Sequence, residues 1–133
     1  MIPKIVHLFA CFYGATAVIF GAMGAHWLKT KVDSAQLSSF QLESFKTGVQ
    51  YQLFHAILLL ILAFQAEKLA GNLFNSAVFC FIGGIFFFSG SIYILSTREL
   101  LGLQSYQWLG PITPLGGLML IVGWVLLGFT FNK

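Results

Sequence analysis

Four long stretches of the chain contain no charged side chain, and this pattern limits the possible folds more than any other feature. Residues 5–28, 47–66, 69–97 and 100–132 carry no Asp, Glu, Lys or Arg. A helix needs about 20 apolar residues to cross the roughly 30 Å hydrocarbon core of a bilayer. Each stretch is long enough to do so, and the sequence therefore predicts four transmembrane helices.

The overall composition argues against a soluble domain. Hydrophobic residues make up 58% of the 133-residue chain and charged residues 8%, whereas a soluble surface needs roughly a quarter of its residues charged. The formal charge of +3 comes from scattered basic residues that form no stripe, which argues against a nucleic-acid partner. We therefore expect the surface to contact membrane lipids.

The predicted fold is an all-α membrane protein with one bundle of four transmembrane helices, a single domain over residues 1–133. The fourth span has the clearest start, because Thr113 can cap the helix while Pro114 takes its first position. The four spans are expected at about 5–28, 48–66, 73–97 and 114–131.

A short amphipathic helix is predicted over about residues 34–46, between the first two spans. Asp33 or Ser34 can cap it, and its apolar and polar side chains fall on opposite faces of a helical wheel. Such a helix would lie at the membrane interface, and Gly48 would mark the bend into the second span.

Small residues recur at helical spacing in three of the predicted spans. Helices in lipid associate through close packing that small side chains permit, so these stripes predict helix contacts. They comprise Ala10, Gly14, Ala17, Gly21 and Gly24 or Ala25 in the first span, Ser76, Cys80, Gly83 and Gly90 in the third, and Gly116 and Gly123 in the fourth.

The basic residues that flank the spans do not settle the orientation of the chain. Three would lie on one side of the membrane and four on the other, although the flanks of the first span slightly favour a cytoplasmic first loop. The two groups are Lys4, Lys68 and Lys133, and Lys29, Lys31, Lys46 and Arg98.

Polar residues that can bind a ligand gather at one predicted membrane face. Ionisable groups are costly within a membrane and are therefore candidates for function. His26 leaves the first span at this face, and Tyr51 and His55 re-enter there in the second. The loop between the third and fourth spans brings Arg98 and Thr113 to the same face, where Arg98 and the helix start can hold an anionic headgroup or a carbonyl. A lipid or quinone-like ligand is therefore one hypothesis for these five residues.

The histidines could also have other roles. His26 and His55 lack a third ligand and helical spacing, so they give little support for haem or metal ligation. Hydrogen-bonded interfacial histidines and a proton relay are the alternatives. No Ser, Cys or Asp lies in an activated motif, and we expect no enzyme, no catalytic residue, no cofactor and no metal site.

Several segments together resemble a known family of small membrane proteins. The family is domain of unknown function 423, whose eukaryotic relatives are called transmembrane protein 256, and the likeness covers nearly the whole chain. It implies a four-helix protein of the bacterial inner membrane without an established activity, and it assigns no residue a role. The matching segments are Phe20-Gly-Ala-Met-Gly-Ala-His-Trp-Leu-Lys29, Tyr51-Gln-Leu-Phe-His-Ala56, Gly110-Pro-Ile-Thr-Pro-Leu-Gly-Gly117 and Gly123-Trp124.

Three functions are compatible with these observations. The favoured one is an accessory or structural subunit that packs with other membrane proteins, with lipids or with copies of itself. The second is a carrier or channel for a small molecule or ion, which four helices can form only as an oligomer. The third is a redox subunit that binds haem or quinone.

Overall fold

The structure, a computed structural model, describes residues 2–103 and 107–131, and this part of the chain is helical without a strand. Four helices are long and apolar enough to cross a membrane, as the uncharged stretches predict. The elements are α1 (Ile2–Met23), a π-helical segment (Gly24–Leu28), α2 (Lys29–Asp33), α3 (Ser39–Gln65), α4 (Asn72–Thr97), a 3-10 turn (Gln107–Leu109) and α5 (Ile112–Thr130).

The first span is longer than the uncharged stretch that predicts it. α1 continues through the π-helical segment into α2, which gives an unbroken helix over Pro3–Asp33. Gly24 lies in the π-helical segment, where a Cβ would come within 3.3 Å of the Phe45 ring. The wider turn therefore occurs where the first span lies directly against α3.

The structure does not contain the separate interfacial helix predicted over residues 34–46. The second half of this predicted segment forms the first turns of α3. α3 begins after a capping box between Ser38 and Gln41 and continues to Gln65. Leu37, Leu42 and Phe45 of this region are buried in a cluster with Leu28, whereas Phe40 is exposed. The apolar face that the sequence shows therefore packs on the end of the first span and does not lie on the membrane surface.

Gly48 does not bend the chain, because it lies within α3 and is buried. A Cβ at this position would come within 3.0 Å of the Tyr93 ring and 3.1 Å of the Ile92 side chain. The glycine therefore permits the close approach of α3 and α4, and its small size has a packing role where the sequence indicated a turn.

α5 begins two residues earlier than predicted, and Thr113 does not cap it. Pro111 precedes the first turn without a side-chain cap. The Thr113 hydroxyl instead lies 2.7 Å from the Ser91 hydroxyl of α4. Thr113 is already the second residue of α5, so it lies beyond the capping position.

The helices pack with α4 between α3 and α5, while α1 packs against α3. The main core consists of buried apolar side chains from α1, α3, α4 and α5, with Leu59, Phe74, Phe81 and Ile85 among the most enclosed. At the α4–α5 contact, a Cβ at Gly116 would overlap the backbone of Phe87 and Phe88. The α4–α5 contact therefore requires glycine at position 116.

The predicted small-residue stripes are helix contacts at most of the positions with a described environment. Gly21 and Gly24 lie against α3, and Gly83 and Gly123 lie in the α4–α5 contact. Gly14 and Gly90 behave differently, because no atom lies within 4 Å of a Cβ built at either position. The stripes therefore include glycines that face open space outside this bundle.

Candidate functional site

A buried glutamine connects three of the spans through hydrogen bonds. Gln52 of α3 is 3% exposed, and its amide nitrogen donates to the Tyr13 carbonyl oxygen at 2.8 Å and to the Thr16 hydroxyl at 2.7 Å. Its amide oxygen accepts a hydrogen bond from the Tyr93 hydroxyl at 2.7 Å. Gln52 is thus bonded to both α1 and α4 in the interior of the protein.

Two further bonds extend this network between the helices. The Tyr13 hydroxyl donates to the Ile82 carbonyl oxygen at 2.9 Å, which joins α1 to α4. The Ser89 hydroxyl donates to the Gly48 carbonyl oxygen at 2.8 Å, which joins α4 to α3. Hydrogen bonds between helices stabilise membrane proteins modestly, but they fix which side chains face each other.

Within the described residues, no enclosed side-chain nitrogen or oxygen lacks a hydrogen-bond partner. An unsatisfied polar group in a hydrocarbon environment costs several kcal/mol, so the network is a structural feature of the spans. Sequence reasoning placed no site at Gln52, Tyr13, Tyr93 or Ser89. The available signal was the presence of polar side chains well inside uncharged stretches.

The His55 ring has a hydrogen-bond partner on each nitrogen. Its Nδ1 lies 2.7 Å from the Tyr51 carbonyl oxygen, and the Trp124 indole N–H donates to its Nε2 at 3.2 Å. A carbonyl only accepts and an indole N–H only donates, so these partners fit a neutral imidazole that carries its hydrogen on Nδ1. The Nε2 bond therefore joins α5 to α3, while the Nδ1 bond lies within α3 and fixes the orientation of the ring.

The structure brings only some of the predicted site residues together. The Tyr51 and His55 rings are stacked with centroids 6.1 Å apart, and Tyr51 also contacts Phe88 of α4. His26 is exposed in the π-helical segment and makes no hydrogen bond to His55 in the described part of the chain. The histidines thus occupy different environments, one inside the bundle and one on its surface.

Arg98 and Thr113 lie in a separate groove of about 880 Å³. The groove is bounded by the connector that follows α2, the first turns of α3, the last turns of α4 and the start of α5. We call it the loop-face groove. It is lined by Val32, Ala35, Gln36, Leu37, Ser38, Ser39, Phe40, Gln41, Ser44, Ile92, Leu95, Ser96, Arg98, Glu99 and Thr113.

Most hydrogen-bonding groups of the groove are already used within the chain. Lys31 donates to the Gln36 side chain at 3.1 Å, and Ser38 and Gln41 form the capping box of α3. Ala35 adopts a left-handed backbone conformation with φ of 58°, which is unfavourable for a residue with a Cβ. The connector is therefore held in a defined turn beside the groove.

The described residues contain no cluster of three or more His, Cys, Asp or Glu side chains that could hold a metal ion. Cys11 and Cys80 are unpaired thiols within the spans. The described residues thus form a hydrogen-bonded helical core with a mixed polar and apolar groove at one face.

Comparisons with known proteins agree with this description. A family model described as "Protein of unknown function (DUF423)" matches residues 20–117. The UPF0382 membrane protein YwdK of Bacillus subtilis is 40% identical over 84% of this chain and 82% of its own length. The UPF0382 inner membrane protein YgdD of Escherichia coli is 32% identical over 96% of this chain and 88% of its own. No solved structure matches the chain.

Proposed function

The chain belongs to the DUF423 family of membrane proteins of unknown function, and we propose that it acts as an accessory subunit that packs against other membrane proteins. The family and the four apolar helices establish a multi-pass protein of the bacterial inner membrane, as the sequence predicts. Nothing in the family description or in the described residues indicates catalysis. Packing is the function that the geometry supports best.

One observation carries this proposal: each fully enclosed side-chain nitrogen or oxygen atom of the described residues has a hydrogen-bond partner. The core is therefore satisfied without a substrate or an ion, which leaves the outer surface for interactions. The first span and α5 have the most free surface, because a smaller share of their apolar stretches is buried than in α3 or α4. These two helices are the natural contact surfaces for a partner.

Open glycines give the outer surface places where another helix can approach closely. No atom lies within 4 Å of a Cβ built at Gly14 of α1, Gly90 of α4 or Gly128 of α5. Close backbone approach at small residues is a main source of helix association in lipid. These positions therefore suit contact with a helix from outside the chain.

The two other functions have less support. A carrier needs a polar path through the membrane, but the apolar core around Leu59 and Phe81 lies between the loop-face groove and a smaller cavity near Lys68. Haem ligation by His55 would require the loss of its bonds to Tyr51 or Trp124.

The proposal is tested by crosslinking in native membranes followed by purification in mild detergent. We expect discrete crosslinked species that contain this protein and a partner or a second copy. Substituting Gly14→Leu should weaken these species several-fold and leave the unfolding of the bundle unchanged, because the new side chain points into open space. Recovery of the protein only as a free monomer, before and after crosslinking, would contradict the proposal.

A further inference from the structure

The loop-face groove contains polar groups that the fold does not use. Ser96 lines the groove with little exposed surface, and its hydroxyl is accessible from the groove and has no hydrogen-bond partner among the described residues. Arg98 and Glu99 follow it and line the same groove, and neither forms an ion pair within the described part of the chain. A free hydroxyl, an unpaired cation and an unpaired anion in one groove give it the groups to bind a ligand of complementary charge.

We propose that this groove binds the phosphoethanolamine headgroup of a membrane phospholipid. The Arg98 guanidinium holds the phosphate, since its planar fork matches phosphate oxygens in a bidentate arrangement. The Ser96 hydroxyl donates a hydrogen bond to the same phosphate. The Glu99 carboxylate accepts hydrogen bonds from the ammonium group. All three unused groups thereby gain a partner.

The position and lining of the groove favour a lipid over a soluble phosphate compound. The groove lies at the ends of the membrane spans, and the apolar side chains of Ile92, Leu95 and Phe40 line it together with the polar groups. Phe40 is 79% exposed and can contact an acyl chain. The volume of about 880 Å³ lies within the range of roughly 300–1,000 Å³ that is usual for small-molecule sites. An amphipathic groove of this size fits a headgroup and the adjoining part of its chains.

The charges of the groove favour a zwitterionic headgroup over an anionic one. Arg98 and Glu99 are the charged residues that line it within the described chain. Other charged residues at this face have partners of their own, since Lys31 is bonded to Gln36 and Lys46 pairs with Glu43 at 2.7 Å. A purely anionic headgroup would satisfy Arg98 and leave Glu99 close to a like charge. Phosphatidylethanolamine satisfies both residues.

Native mass spectrometry of the full-length protein in mild detergent, with defined lipids added, tests this assignment. We expect adducts with phosphatidylethanolamine at least tenfold more abundant than with phosphatidylglycerol at equal concentration. Arg98→Gln should reduce the phosphatidylethanolamine adduct about tenfold, and Ser96→Ala should reduce it a few-fold. Glu99→Gln should remove the preference over phosphatidylglycerol while phospholipid binding persists.

Lys29→Gln is the matched control, because it removes one positive charge at the same face outside the groove, and it should leave lipid binding unchanged. Thermal unfolding of each variant separates lost binding from lost folding. Equal binding of both lipids by the wild-type protein would overturn the assignment, as would unchanged binding by a folded Arg98→Gln variant. Displacement of the lipid by soluble phosphoethanolamine at similar concentration would overturn the choice of a lipid. None of these outcomes depends on the crosslinking result.

Discussion

At the scale of single residues, Gln52 shows how a polar side chain is accommodated inside an apolar protein. Its amide makes three hydrogen bonds, to Tyr13, Thr16 and Tyr93. Each such bond is worth about 0.6 kcal/mol on average in a membrane, because the unfolded chain in lipid also finds partners. The benefit to the fold is therefore as much in specifying helix orientation as in stability.

Gln52→Leu tests this network. The change keeps a similar volume but leaves the Tyr93 hydroxyl without its acceptor, whereas the Thr16 hydroxyl keeps its bond to the Phe12 carbonyl oxygen. We therefore expect a loss of about 1–3 kcal/mol in the free energy of unfolding. Denaturation in mixed detergent and SDS micelles, followed by circular dichroism, measures it. Gln50→Leu is the control, since Gln50 is exposed on the same helix, and it should change the unfolding free energy little. Equal effects of the two substitutions would show that the network is not stabilising.

At the scale of helices, the α4–α5 contact depends on a glycine whose replacement would cause a clash with backbone. Rearranging side chains cannot remove such a clash. A Cβ at Gly116 would meet the backbone of Phe87 and Phe88, whereas a Cβ at Gly83 would meet the flexible Met119 side chain. Backbone cannot move aside without separating the helices. Gly83 is therefore expected to tolerate substitution better than Gly116.

Gly116→Ala is predicted to destabilise the protein by about 1–3 kcal/mol or more, which is the usual cost of overpacking a tight contact. Gly128→Ala on the same helix should be neutral or stabilise by up to about 1 kcal/mol, because its Cβ meets no atom and alanine favours a helix. The SDS midpoint of unfolding compares the two variants. A Gly116→Ala protein as stable as the Gly128→Ala protein would contradict the close packing of α4 and α5.

At the scale of the whole molecule, the connections between spans decide which polar groups meet. The connector after the first span, the C-terminal end of α4 and the start of α5 lie at one face, and together they line the loop-face groove. Residues far apart in the sequence, such as Gln41 and Thr113, thereby line one cavity. The short connection between α3 and α4 lies at the opposite face.

Single cysteines introduced into a variant without Cys11 and Cys80 test this arrangement. Ser39→Cys and Glu99→Cys should react alike with a membrane-impermeant thiol reagent in oriented vesicles, because both lie at the loop face. Glu67→Cys should react only from the other side, since it follows α3 at the opposite end. Labelling of all three from one side would contradict four crossings, and the reactive side of each also determines the orientation of the chain.

The sequence alone determined the fold class and the number of spans, because in lipid each backbone polar group must be bonded internally and charges are excluded from the hydrocarbon. Long uncharged stretches are therefore expected to form transmembrane helices. It also predicted the contact role of Gly21, Gly24, Gly116 and Gly123, since helical spacing is a local property. The grouping of Arg98 and Thr113 at one face follows equally from counting the crossings.

Only the tertiary structure decided how the polar groups are partnered. The helical-wheel pattern of residues 34–46 is the same whether the helix packs on lipid or on protein. Only the tertiary structure shows that Leu37, Leu42 and Phe45 are buried with Leu28. His55 is bonded to Trp124, 69 residues away in the chain, a distance over which sequence spacing carries no information about side-chain direction. The same holds for Gln52, and for Ser96 and Arg98, whose unused groups define the proposed lipid site.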